Sequence, residues 1–220
     1  MTQGIDSLEQ AGVRVALDYT GTVEAVEAVD GQLDDALLAV VATLPGLASL
    51  DIAGGRVTDA GLAVLRSMTS LGRLYLSDLP LSDAGLADLA GLVGLEVLTL
   101  RGTQLTGGGL AFLRDLKQLR TLNLSQNALT DAGLAALRSL PNLEVLALEG
   151  TKITGVGLAH VGRLPRLCVL NLNRTPIADW SLAYLEGATR LRKLLLVGCE
   201  VTDVGVKRLH DQIPGLATYR

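Results

Sequence analysis

Leucines stand at positions 47, 71, 95, 119, 143, 167 and 191, and each opens the same hydrophobic and polar pattern, L-x-x-L-x-L-x-x-x-x-(L/I/V)-(T/S)-D-x-G-L. The interval is 24 residues throughout. One interval earlier, Val23 opens a unit in the same phase, with Val26, Ala28, Leu33 and Leu38 where leucines fall later. Within a unit the pattern changes period. After Leu119, Leu122 and Leu124 alternate with Thr121 and Asn123, as in a short strand with one buried face. Leu134, Leu137 and Leu140 then mark the buried stripe of a short helix. Thr130 stands where the N-cap of that helix belongs, and Asp131 where a carboxylate meets the positive end of the helix dipole. Pro141 ends the helix.

A unit of strand, loop, helix and loop cannot bury its leucines alone, whereas a stack of such units can. Strands stack about 4.8 Å apart and helices about 8–10 Å apart, so the stack bends with its strands on the concave face. The spacing predicts eight units over residues 23–214. Residues 1–22 read as a cap: a helix over IDSLEQAG stopped by Gly12, then a hairpin in which Val13, Val15, Leu17 and Tyr19 alternate before TGT. Towards the other end one extra residue breaks the phase, and residues 215–220 read as a last short strand. Gly61, Gly85, Gly109, Gly133, Gly157 and Gly205 recur in the first helical turn, where glycine costs about 1 kcal/mol against alanine. Close approach to the preceding helix is the expected return, since a single phosphate cradle would not need six copies.

The wording TDAGLAALRSLPNLEVLAL resembles the leucine-rich repeat family, in particular bacterial 24-residue repeats of the GALA type and those associated with F-boxes. The resemblance implies an α/β fold, a right-handed curved solenoid used for protein recognition. The family's Asn or Cys at the ninth repeat position appears as Asn127 and Cys199; Thr103, Thr151 and Thr175 replace it elsewhere, and Gly55 and Leu79 depart from it. An adaptor or effector role in a ubiquitin-ligase-like or signalling complex is a further implication. It calls for an F-box ahead of the repeats, longer than the stretch before the predicted hairpin.

Composition narrows the picture. Aromatic residues are 3% of the chain against 49% hydrophobic overall, so burial rests on many small layers of Leu, Ala, Val and Gly. The net charge of −4 does not suit nucleic acid or an anionic membrane. It divides into −9 over residues 1–110 and +5 over residues 111–220. No apolar run is long enough for a membrane span. The opening MTQGIDSLEQAGVRV lacks the basic-then-apolar pattern of a secretory leader. A cytoplasmic bacterial protein with two reduced cysteines is expected; Cys168 and Cys199 lie about 23 Å apart along the strand direction, too far for a disulfide.

Catalytic and metal chemistry find no foothold. His160 and His210 fall on different helices as lone surface residues, and no Cys/His spacing matches a zinc site. The recurring Asp35, Asp59, Asp83, Asp131, Asp179 and Asp203 read as helix-start acids rather than a calcium ladder. No catalytic set, cofactor or metal is therefore assigned. The partner is expected to be a protein, bound by outward side chains of successive strands: Arg73, Tyr75, Arg101, Asn123, Glu149, Asn171, Arg174 and Lys193. A purely structural or oligomerising spacer is the alternative. One unit reads ADWSL where others read TDAGL, which places Trp180 and Tyr184 on one helical face. Trp180 either fills a gap against a neighbouring helix or, with Tyr184, forms a second contact site on the convex side.

Overall fold

The computed structural model describes residues 2–220. Ten strands form one sheet in chain order: β1 (Arg14–Leu17), β2 (Val23–Ala28), β3 (Ser49–Ala53), β4 (Arg73–Ser77), β5 (Val97–Thr99), β6 (Thr121–Asn123), β7 (Val145–Ala147), β8 (Val169–Asn171), β9 (Lys193–Leu195) and β10 (Ala217–Tyr219). β1 pairs antiparallel with β2, and every later neighbour is parallel. Each parallel pair is offset by 24 residues: Ser49 faces Arg73, Arg73 faces Val97, and Lys193 faces Ala217. The hydrophobic period is thus also the pairing register.

The last pair corrects one expectation. The backbone phase continues into β10; the extra residue displaces only the side-chain pattern. Leu216 closes the core one place later than the repeat predicts, and Thr218 pairs with the buried Leu194 where earlier repeats place a leucine.

Inward leucines are the core. Leu122, Leu124, Leu129, Leu134 and Leu137 are all 0% exposed. A fully buried leucine contributes roughly 1.5–3 kcal/mol over an exposed one. Packing across the whole stack, rather than any one unit, therefore holds the chain together. At the start, α1 (Thr2–Gln10) and β1 cover the first repeat, with Leu8 and Val13 buried. Gly12 takes φ +82° as the chain leaves α1, and the Val13 N–H reaches back to the Leu8 carbonyl.

The other side of the stack is less regular than an array of α-helices. α2 (Asp35–Val41), α3 (Asp59–Leu62), α4 (Gly155–Val161) and α5 (Asp203–Gln212) are α-helical. Gly85–Leu89, Gly108–Asp115, Asp131–Ser139 and Asp179–Leu185 are 3-10 helices, and Ala63–Ser67 extends α3 in the same form. The buried residues recur every third position in both forms: Leu134, Leu137 and Leu140 in and just past the 3-10 helix Asp131–Ser139, and Leu158, Val161 and Leu164 in and just past α4. A helix with three residues per turn lines such side chains up, but the spacing does not by itself separate the two forms. No helix among the described residues is long and apolar enough to cross a membrane.

A second correction concerns the Thr-Asp-x-Gly motif. Most of these threonines do not cap their own helices; side-chain caps occur at Asp34 and Thr202. The motif instead joins neighbouring repeats. The Asp131 carboxylate accepts from the Thr154 N–H at 2.7 Å and the Thr154 hydroxyl at 2.5 Å. Asp35 does the same for Thr58, Asp59 for Ser82, Asp83 for Thr106 and Asp179 for Thr202. The recurring glycine makes room for that carboxylate: a Cβ at Gly61, Gly85, Gly157 or Gly205 would collide with the aspartate of the preceding repeat. Close approach was the right expectation for these glycines, and the approaching group is a side chain.

The ladder is interrupted twice, where Gly107 and Gly155 replace aspartate. At the first break the Thr130 N–H meets only the Thr106 carbonyl, at 3.4 Å. At the second, Ala178 replaces threonine, its N–H donates to the Ser181 hydroxyl, and the Trp180 ring lies against Gly155.

Candidate protein-binding face

Each of β2 to β9 is followed by a residue that turns the chain out of the sheet with positive φ. Asp30, Gly54, Asp78, Gly102, Gln126, Gly150, Arg174 and Gly198 hold φ between 54° and 75°, one per repeat. Half of them are not glycine, so the repeat imposes this conformation at a cost that an isolated turn would avoid. The bend is held from both sides. The Gln126 and Arg174 N–H groups donate to the Glu149 and Val197 carbonyls of the next repeat. Just beyond it, the ninth position satisfies loop carbonyls: Thr103, Thr151 and Thr175 donate to Leu100, Leu148 and Leu172. Asn127 donates to Leu100 and Leu124 together, and the Cys199 thiol donates to Leu172. Threonine therefore fills the role of the family's asparagine within its own repeat, while Asn127 bridges two.

The in-register pairing of the strands sets the outward side chains in rows. One row runs Asp51, Tyr75, Thr99, Asn123, Ala147, Asn171 and Leu195 on adjacent strands. Beside it run Ser49, Arg73, Val97, Thr121, Val145, Val169 and Lys193. The middle of the second row is a stripe of half-buried valines and Thr121. Arg73 and Lys193 are five strands apart, about 24 Å at the usual strand spacing.

The eight residues expected at the face differ in how firmly they are held. Arg101 donates twice to Asp78, at 3.0 and 3.2 Å. Glu149 accepts from Asn171 at 3.2 Å and lies 3.9 Å from Arg174. Asn123 and Asn171 each use the side-chain oxygen to accept the N–H two residues on. Lys193 sits over the Tyr219 ring, 5.1 Å from its centre. Among the described residues, Arg73 and Tyr75 make no side-chain hydrogen bond. Ser125 follows the same outward alternation in sequence but is buried, next to the bend at Gln126.

Two features have signals that sequence reasoning passed over. Arg120 lies between Glu144, at 2.8 Å, and Glu96, at 4.0 Å, forming an ion row beside the valine stripe. All three residues hold the same repeat position. At the acidic end, Asp51 stands opposite Glu27. Burial and that neighbour push the Asp51 carboxyl up, while Arg14 pulls it down. Glu27 is paired with Arg14 of β1 at 2.5 Å.

On the helix side, Trp180 is 58% exposed and Tyr184 44%. Their rings meet edge to face with centres 6.4 Å apart. One edge of the Trp180 ring packs on Gly155, as the gap-filling reading expects, and the rest of the ring is open. His210 is exposed, but His160 is half-buried with its Nδ1 shielded and unpartnered among the described residues. Both cysteines are free. Among the described residues no three His, Cys, Asp or Glu side chains are placed to hold a metal ion.

The family model "Leucine rich repeat" matches residues 93–153. No curated protein matches the sequence. Among solved structures, an internalin C2 from Listeria monocytogenes superposes with a TM-score of 0.73 at 23% identity, covering 89% of this chain and 80% of its own. An internalin from the same organism, inlF, aligns at 19% identity with a TM-score of 0.48, covering 87% of this chain and 66% of its own. The matched repeats, the 24-residue strand register and the fold shared with internalin C2 make this chain an α/β leucine-rich-repeat solenoid.

Proposed function

We propose that this protein is a non-catalytic scaffold that binds a protein partner on its strand face. The observation that carries the reading is the face itself. Rows of outward side chains cross seven consecutive repeats while the leucines beneath them stay constant. An exposed arginine and a half-buried tyrosine, Arg73 and Tyr75, stand there without an internal hydrogen bond. Such residues are the usual anchors of protein interfaces, and the length of the rows suits a protein better than a small metabolite. Arg101, Asn123, Glu149, Asn171, Arg174 and Lys193 extend the contact towards β9. Glu149, Asn171 and Arg174 hold one another, and Arg101, Asn123 and Lys193 are held by Asp78, the Ser125 N–H and Tyr219, which lowers the entropy lost on binding.

The domain plan belongs to the same proposal: residues 1–22 cap the array, 23–214 are the eight repeats and 215–220 supply the closing strand. Two free thiols favour a reducing compartment, the cytoplasm. The finer likeness to GALA-type and F-box-associated repeats rests on the wording of the repeats. An adaptor role would use the same face, and ligase components among captured partners would reveal it.

The test is affinity capture with the full chain, comparing wild type with Arg73→Ala/Tyr75→Ala and with Trp180→Ala. A partner lost with the strand-face pair and kept with Trp180→Ala supports the proposal. A partner indifferent to the strand-face pair overturns it.

A further inference from the structure

The positive charge of the C-terminal half is not spread over its surface. Residues 114–120, 138–144, 162–168 and 186–192 each lead from a helix back to the next strand, so the 24-residue register lays them along one edge of the stack. These four returns hold eight basic residues and three acids, a net +5 that equals the whole excess of residues 111–220. The three returns before them, 42–48, 66–72 and 90–96, hold one base and one acid. Half of the eight bases are engaged within the fold. Arg114 pairs with Asp115 at 3.5 Å and Arg120 with Glu144 at 2.8 Å. Lys117 donates to the Arg114 and Ser139 carbonyls, and Arg192 to those of Thr189 and Leu191. The other four, Arg138, Arg163, Arg166 and Arg190, are exposed and make no ion pair or side-chain hydrogen bond among the described residues. The helix dipole gives Arg138 a local role, since it lies in the last turn of its helix. Arg163, Arg166 and Arg190 lie beyond the ends of α4 and of Asp179–Leu185.

We infer that this edge binds an acidic, extended segment of a protein partner. Three features choose the occupant. The first is the cation: a guanidinium fork matches a carboxylate with two parallel hydrogen bonds, and these forks are unused. The second is spacing. Neighbouring repeats lie between about 4.8 Å apart, the strand distance, and about 8–10 Å, the helix distance. An extended chain presents every second side chain about 7 Å along, within that range. Alternate carboxylates on such a segment therefore meet Arg138, Arg163 or Arg166, and Arg190 on three successive repeats. The third is what the edge lacks. None of the chain's aromatic residues falls in these returns, so they offer no platform for stacked bases and no ring to enter a lipid interface. The net charge of −4 also repels a long polyanion as a whole, while a short acidic segment meets only the local +5. The inference stands apart from the strand-face proposal, because Arg73 and Tyr75 lie outside these returns.

Fluorescence anisotropy of a labelled Glu-Ser repeat peptide, titrated with the full chain, reads the site. Binding should saturate at about 50 mM salt and fade by about 500 mM, where the field is screened. Arg163→Glu/Arg166→Glu/Arg190→Glu should weaken it about tenfold or more, because three exposed pairs give way to repulsion. Lys152→Glu/Lys207→Glu/Arg208→Glu carries the same net charge with the returns intact, and should bind as wild type does. Arg163→Lys/Arg166→Lys/Arg190→Lys should retain binding, which distinguishes a lost site from a lost fold. Arg73→Ala/Tyr75→Ala should bind the peptide unchanged, which separates this edge from the strand face. A wild-type chain that does not bind the peptide at about 50 mM salt overturns the inference. Equal losses in the two charge-reversed variants overturn it too, since net charge alone would then explain the binding. So does a peptide released by Arg73→Ala/Tyr75→Ala, or an oligothymidine or phosphatidylserine vesicle that binds more tightly than the peptide and is lost with Arg163→Glu/Arg166→Glu/Arg190→Glu.

Discussion

Thr130 and Thr154 hold the same place in adjacent repeats, and each is the N-terminal flank of its helix without capping it. Their surroundings differ in one group. Thr154 donates its hydroxyl to Asp131 at 2.5 Å, whereas Thr130 faces Gly107 and its hydroxyl has no partner among the described residues. Replacing each threonine by valine keeps the β-branch and removes only the hydroxyl. A hydrogen bond to a charged group is worth about 1.5–3 kcal/mol. Thr154 is half-buried, so solvent screens part of that, leaving roughly 1–2 kcal/mol. Thr130→Val should cost under about 0.5 kcal/mol, as changes at exposed sites without partners do. Urea melts at pH 7 should therefore separate the two variants by about 1 kcal/mol, a difference of roughly 2–4 °C in Tm for a chain of this size. Asp131→Asn combined with Thr154→Val should cost less than the two single changes added together, because both remove one interaction. Equal costs for Thr130→Val and Thr154→Val would refute the ladder as a source of stability and return the threonines to a local role.

Other outcomes follow from the same geometry. Leu124→Ala should cost about 2–5 kcal/mol, the range for a buried large-to-small change, and Asn123→Ala about 1 kcal/mol or less for one lost half-buried hydrogen bond; denaturant melts compare them. The acid limb of stability should carry the ladder's signature. Burial pushes the Asp83 carboxyl up, but the Thr106 hydroxyl and nearby N–H groups outweigh it, and the Thr202 hydroxyl and N–H lower Asp179. Native values below the unfolded one mean that this stability is complete above about pH 4 and fades as the pH falls through them; urea midpoints at decreasing pH should show the fall, and Thr106→Val/Thr202→Val should flatten it. Thiol titration of the denatured, unreduced protein should find both Cys168 and Cys199. On the strand face, Tyr75→Ala should speed release of a bound partner, as loss of an anchor does, with surface plasmon resonance reading the off-rate.

The period, the strands and their inward faces were legible because they are local. Leu122 and Leu124 alternate with polar neighbours whatever surrounds them, and a constant interval of 24 residues leaves one register in which the inward leucines of all the repeats stack on one another. The Thr-Asp pair was ambiguous for a physical reason. A threonine before a helix and an aspartate at its first turn satisfy the rules of capping, and the same two residues satisfy a bond to the next repeat equally well. Only the stacking distance decides between them, because it places Asp131 within reach of Thr154, 23 positions away, and leaves Gly157 as the space the carboxylate needs. The binding face divides in the same way. Alternation named which side chains point outward, but not that Arg101 would be held by Asp78, or Glu149 by Asn171, or that Ser125 would be covered. Those pairings depend on the positive-φ bend that follows β2 to β9, and half of the residues that adopt it are not glycine. The bend is imposed by hydrogen bonds from the neighbouring repeat, so it belongs to the assembled stack and not to any single unit.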